Sequence, residues 1–198
     1  MDNRKYNTYR YNRKKQQGRL MMGMQQLKNY PFLNLIWVLF TVGVVFLVIV
    51  ENKYVTNIKV YPMFETIFPI CMTATLIIFP IICAIGLIQF IGHCFAVKDE
   101  ADMEIVFEDI RDIKNQPPIL IYKKKDRKSG VIKREFYTTI PMEQWQDKKD
   151  SICDRMNIHL IGDISYGGRK KNKGNHIYFE SAKGRNPKER GVLYDDTF

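Results

Sequence analysis

The 198-residue sequence is poor in the residues that usually mark a catalytic centre. Histidine occurs three times (His93, His159, His176), far apart, so no metal-ligand spacing can be read. Four cysteines (Cys71, Cys83, Cys94, Cys153) show no C-x-x-C spacing, and two lie deep in an apolar run, where a thiol behaves as a small hydrophobe. Free thiols are expected. A P-loop is absent: Gly162 and Gly167 have its first spacing but lead into Gly168 and Arg169, and Gly18 and Gly23 lead into Met24 and Gln25. Neither can wrap a phosphate chain. There is no G-x-S-x-G elbow, no H-E-x-x-H, and no histidine beside Cys153 to activate it. The expectation is a chain with no catalysis, metal or cofactor of its own. Acid is also in deficit, with 21 Asp and Glu against 31 Lys and Arg, a net charge of +10. That excess points to anionic partners, either lipid head groups or nucleic acid.

What is present is apolar sequence without charge. Between Lys28 and Glu51 there is no ionisable Asp, Glu, Lys or Arg, and Phe32 to Val50 reads FLNLIWVLFTVGVVFLVIV. As a helix these nineteen residues span about 28 Å, close to the thickness of a bilayer's hydrocarbon core. A second charge-free window runs from Thr66 to Val97, with its apolar body from Pro69 to Gly92 and Pro80 near its middle, where a kink is expected. The stretch ENKYV after the first run offers no small-residue cleavage site, so a retained anchor is favoured over a signal peptide. Residues 1–30 carry eight Lys and Arg, whereas Glu51 to Phe68 carries two, balanced by two acids. The positive-inside rule then places both termini in the cytoplasm of a multi-pass cell-membrane protein. No charge lies within either span, so the helices read as an anchor and not as an ion path; Asn34 and Gln89 could hydrogen-bond between helices and support a homo-oligomer.

The expected organisation is a membrane α-helical hairpin of two transmembrane helices plus a small cytoplasmic α+β domain. Residues 1–30 form a basic cytoplasmic tail, 31–50 the first transmembrane helix, 51–68 an external loop, 69–92 the second transmembrane helix and 93–198 the domain. In the tail, Arg10, Arg13, Lys14 and Lys15 are interleaved with Tyr6, Tyr9 and Tyr11, ahead of a Met-rich, helix-compatible stretch. Such residues can neutralise phosphates and stack on bases, or rest on anionic head groups. In the domain, PILIYK (118–123) and VIKREFYTT (131–139) around a Ser129-Gly130 turn predict a hairpin. Pro141 suits the first turn of a helix in which Trp145, Ile152 and Met156 share a face and which ends near Asn157. Residues 158–166 and 176–180 read as two further strands, giving β-β-α-β-β. Between them GGRKKNKGN bundles Arg169, Lys170, Lys171 and Lys173 between glycines, a candidate phosphate or lipid contact or a solvated hairpin tip.

From Ile105 onward the ordered phrases FEDIRDIKNQPPILIYKKKD, REFYTTIPMEQWQDKKDSICDRMNIHLIGDISYG, HIYFESAKG and GVLYDDTF resemble the region between membrane anchor and motor in FtsK/SpoIIIE-type DNA translocases of Gram-positive conjugative elements. In that family a similar succession follows two N-terminal spans. The resemblance implies a membrane anchor and assembly region of a conjugative coupling system, with a motor ATPase, a relaxase, transfer-channel proteins and DNA as partners. No catalytic residue carries over, because the family's nucleotide-binding motifs would lie beyond Phe198. A fragment, a truncated gene product and a stand-alone anchor all fit. Two other classes stay open: a membrane protein whose domain binds nucleic acid or anionic lipid on its own, and a structural accessory subunit without nucleic-acid contact.

Overall fold

The computed structural model describes residues 3–55, 61–110 and 116–184. Its elements in chain order are α1 (Asn3–Asn29), α2 (Leu35–Val50), α3 (Ile67–Val106), β1 (Ile119–Lys125), β2 (Ile132–Tyr137), α4 (Met142–Asp147), α5 (Lys149–Met156), β3 (Ile158–Leu160), β4 (Ser165–Tyr166) and β5 (His176–Lys183). The basic N-terminal segment is thus a 27-residue helix. It stops at Tyr30 because Pro31 follows: the residue before a proline is pushed out of the helical region, and Tyr30 sits at φ −127°, ψ 84°.

Among the described residues two helices are long and apolar enough to cross a membrane, one formed by α2 with its flanking turns and the other by α3. No residue of α2 is buried: most of its side chains are exposed and a few, such as Phe40 and Val44, are half-buried beside α3. Within these stretches Thr41, Thr73 and Thr75 donate their hydroxyls to the carbonyls one turn back, of Trp37, Pro69 and Cys71, at 2.8 to 2.9 Å.

The end that hydropathy places at Gly92 falls inside α3. One helix of 40 residues runs through Pro80 and on to Val106. Residues 93–106 contain neither proline nor glycine to stop it, and Gly92, Ala96, Asp99, Glu100, Met103 and Val106 recur at three and four, so one stripe of the extension is buried against the domain. α1 crosses this helix at very close range. A Cβ on Gly23 would lie 1.9 Å from the Ile88 carbonyl oxygen, and one on Gly92 would lie 1.9 Å from the Arg19 carbonyl oxygen. Only glycine lets the two backbones touch there.

The sheet is antiparallel in the order β1-β2-β5-β3, with β4 also paired to β5. The predicted hairpin is present, closed by Asp126, whose carboxylate accepts from Ser129 Oγ and the Lys128 N–H. Three details depart from expectation. Pro141 immediately precedes α4 instead of lying in its first turn. The single helix is two, broken at Lys148 (φ −89°, ψ 9°), and α5 closes on left-handed Asn157 (φ 50°). The strand expected over 158–166 is interrupted around Gly162 (φ +84°), where the chain turns Ile164 into the core. Among the described residues the order is therefore β-β-α-α-β-β-β.

Strand alternation gives the sheet two distinct faces. Phe136, Ile177 and Phe179 point inward, where Trp145 of α4 packs its ring 4.8 Å from Phe107 and 5.7 Å from Phe136. Ile152 of α5, Met103 and Val106 of α3 and Met22 of α1 complete the same cluster. Each such side chain contributes about 1.5–3 kcal/mol on burial. The core therefore draws on residues before and after both apolar helices.

Candidate functional site

Two carboxylate centres organise the polar parts of the domain, one on each side of the sheet. The inner one belongs to α3. Asp99 Oδ2 accepts from Arg134 Nε at 2.8 Å and pairs with Lys123 Nζ at 3.0 Å, while Arg134 Nη1 donates to Ser181 Oγ at 2.6 Å. Next to it Glu100 Oε2 accepts from Arg19 Nη2 at 2.6 Å, and Oε1 from the Leu120 N–H at 3.0 Å. Gln26, buried on α1, donates to the Lys123 carbonyl at 2.8 Å. These bonds tie α1, α3, β1, β2 and β5 together, and all lie in or beside the core. Burial pushes the Glu100 carboxyl above its ordinary value of 4.5, against the opposing pull of Arg19, the Leu120 N–H and Lys15.

The outer face carries the second centre. The register sets Tyr122 opposite Glu135, Glu135 opposite Tyr178, and Tyr137 opposite His176, so these residues share the face away from Trp145. Glu135, only 2% exposed, accepts from Arg169 Nε at 3.0 Å and from His176 Nδ1 at 2.8 Å, with Lys173 Nζ at 3.9 Å. The Arg169 guanidinium also lies 3.4 Å from the Tyr122 ring centroid, a cation over an aromatic face. Burial raises the Glu135 carboxyl, but the hydrogen bonds from His176 and Arg169, with the charges of His176 and Lys173, outweigh it and bring it from 4.5 down to about 2. A Cβ on Gly168 (φ +69°) would come within 2.6 Å of Glu135 Oε1, so glycine there is what lets the 167–175 loop sit on the carboxylate.

This geometry sorts the eight candidate cations. In the loop, Arg169 and Lys173 face Glu135, whereas Lys170 and Lys171 are exposed at its tip. The loop's glycines suggested N–H groups offered to phosphate; instead the N–H groups of Gly167 and Gly168 donate to the His176 carbonyl, Lys171 N–H to Gly168 and Lys173 N–H to Gly167. On α1, Lys15 turns inward and stands 3.9 Å from Glu100. Lys14 lies over the Tyr137 ring at 5.8 Å, and Arg10 lines a cavity of about 230 Å³ with Tyr11, Tyr137 and Asn175. Arg13 is exposed. The N-terminal helix and the basic loop, at least 138 residues apart in sequence, thus meet at Tyr137 and Asn175.

No protein-family model matches the chain, and no curated protein matches it. A solved structure is similar to part of it: the pCW3 conjugation coupling protein TcpA, in its monomer form with ATPgS, at 24% identity over 46% of this chain and a TM-score of 0.37. The likeness to a coupling protein is loose. It spans 25% of that protein's chain.

The residues that sequence reasoning missed are Asp99, Glu100, Arg134 and Glu135. The available signal was the acidic phrase KDEAD directly after an apolar run, on the helical spacing that continues it. For Glu135 there was none, since one acid in VIKREFYTT alternates as any exposed strand residue would.

Proposed function

We propose that the chain is the membrane anchor and assembly region of a conjugative DNA-translocation system, positioning a motor ATPase at the cytoplasmic membrane. The observation that carries this reading is α3, one unbroken helix that leaves the apolar stretch and ends in the core of the sheet domain, pinned there by Asp99 and Glu100. A flexible linker would let the domain drift; a continuous helix with a buried ionic joint fixes its height and orientation. Membrane crossing is supported by the absence of any buried residue in α2, because a core helix of a soluble protein would be buried. The eight Lys and Arg of residues 1–30 support cytoplasmic termini. The ordered phrases from Ile105 onward support the conjugative setting. In this reading the chain supplies no catalysis; the motor, a relaxase and transfer-channel proteins are its partners, and assembly is as a homo-oligomer. Purification of the full chain in mild detergent from conjugating cells is expected to bring down one of these partners. A monomer without partners under those conditions overturns the reading.

Exposed Lys170 and Lys171 favour a second role of the same domain, contact with nucleic acid or anionic lipid. Salt-dependent DNA binding that is lost in Lys170→Gln/Lys171→Gln supports it; binding indifferent to that change leaves a structural subunit.

A further inference from the structure

The backbones of α1 and α3 touch where Gly23 meets Ile88 and Gly92 meets Arg19, and Arg19 and Lys15 reach on to Glu100 farther along α3. On one side of the crossing the helices part and leave a cleft of about 530 Å³. Two facing stripes line it. Asn12, Lys15, Gln16 and Arg19 come from α1; Gly86, Gln89, Phe90 and His93, at spacings of three and four, come from α3.

The α3 stripe changes character along its length. Gly86, Gln89 and Phe90 belong to the last turns of the apolar body, which ends at Gly92, and His93 is the first residue beyond it. If α3 crosses the bilayer, as the reading above requires, this is the level at which acyl chains give way to phosphates. The cleft therefore offers apolar surface on its membrane side and cations and amides on its cytoplasmic side. Glu100 matches Arg19 at 2.6 Å and lies farther from Lys15, at 3.9 Å, so the cleft retains cationic character. A basic pocket between helices on the cytoplasmic side is the setting in which lipid head groups are held.

We propose that this cleft binds an anionic phospholipid, its phosphate between Lys15, Arg19 and His93 and an acyl chain against Gly86 and Phe90. The bound lipid completes the packing between α1 and α3 and so ties the placement of the domain to the composition of the membrane. The proposal rests on the membrane reading of α3, and the experiment separates the two.

The full chain, purified in mild detergent, is titrated with phosphatidylglycerol, phosphatidylcholine or inorganic phosphate and followed by native mass spectrometry. The wild type is expected to retain phosphatidylglycerol in preference to the other two. Lys15→Gln/His93→Gln is expected to retain it about fivefold less, Lys15→Arg to behave as wild type, and Lys28→Gln, an exposed cation outside the cleft, to change nothing. Equal retention by the wild type and Lys15→Gln/His93→Gln, or of phosphatidylcholine and phosphatidylglycerol, overturns the proposal. Retention of inorganic phosphate as strong as that of the lipid overturns it too, in favour of a free-anion site. If carbonate washing strips the chain from cell membranes, the membrane reading fails and the proposal with it; a chain that resists washing but shows no lipid preference sinks the proposal alone.

Discussion

The two carboxylates on opposite sides of the sheet, Glu100 and Glu135, are both buried and both face cations, yet their surroundings drive them in opposite directions. Glu100 lies where helix α3 enters the core; desolvation dominates and its carboxyl is raised. Glu135 lies under a loop that brings Arg169, His176 and Lys173 to one carboxylate, and its carboxyl falls to about 2. The first joins distant elements at the expense of a strained charge. The second uses a fully matched charge to hold a surface loop in shape. Burial alone does not set the state of an acid; the count and aim of donors do.

The largest disruption is expected on the α3 side. Arg134→Ala leaves Asp99 buried with Lys123 alone, and about 3 kcal/mol of stability should be lost, read as a lower melting temperature of the full chain in detergent by circular dichroism. Gly92→Ala comes next. Its methyl group meets the Arg19 carbonyl, the helices must separate, and a loss of about 1–3 kcal/mol is expected. If Gly92→Ala melts as the wild type does, the close crossing of α1 and α3 is wrong.

Acid titration sharpens the contrast between the two glutamates. With its folded value below 4.5, Glu135 contributes stability that is present above 4.5 and lost as pH falls towards about 2. Glu100, raised in the folded state, contributes with the opposite sign: its share is full below 4.5 and disappears as pH rises through its raised value. Glu135→Gln should therefore flatten the fall in stability between pH 4.5 and 2, whereas Glu100→Gln should make the fall on acidification steeper. Melting of the full chain by circular dichroism across a pH series would show both. Parallel curves for the two variants would erase the distinction.

The smallest effect on stability belongs to the loop tip. Lys170→Gln/Lys171→Gln should leave the melting temperature within the change expected of about 0.5 kcal/mol, while Arg169→Gln, which strips a partner from Glu135, should lower it measurably. An equal loss in both would mean that the tip is as tightly held as its base.

Much of the architecture was legible because it rests on local rules. The apolar windows, the Ser129-Gly130 hairpin, the helix after Pro141 and the stop near Asn157 all follow from hydropathy, turn chemistry and proline geometry. The eight cations could be found by composition but not sorted by it. Arg169 and Lys173 look like Lys170 and Lys171 in sequence, and only the pairing of β2 with β5 brings Glu135 beneath the first two. Likewise Lys15 differs from Arg13 only in the side of α1 on which it falls.

By itself the sequence determined a basic N-terminal segment, two apolar helices and a small sheet domain, because hydropathy and backbone preference act over a few neighbouring residues. The tertiary structure decided that α3 does not stop where its apolar body stops, that Gly23 and Gly92 let α1 cross it in backbone contact, and that Asp99 and Glu100 lock the result to the sheet. Those decisions depend on groups 20 to 81 residues apart, and whether a charged side chain is solvated, paired or buried is fixed only when its partners arrive.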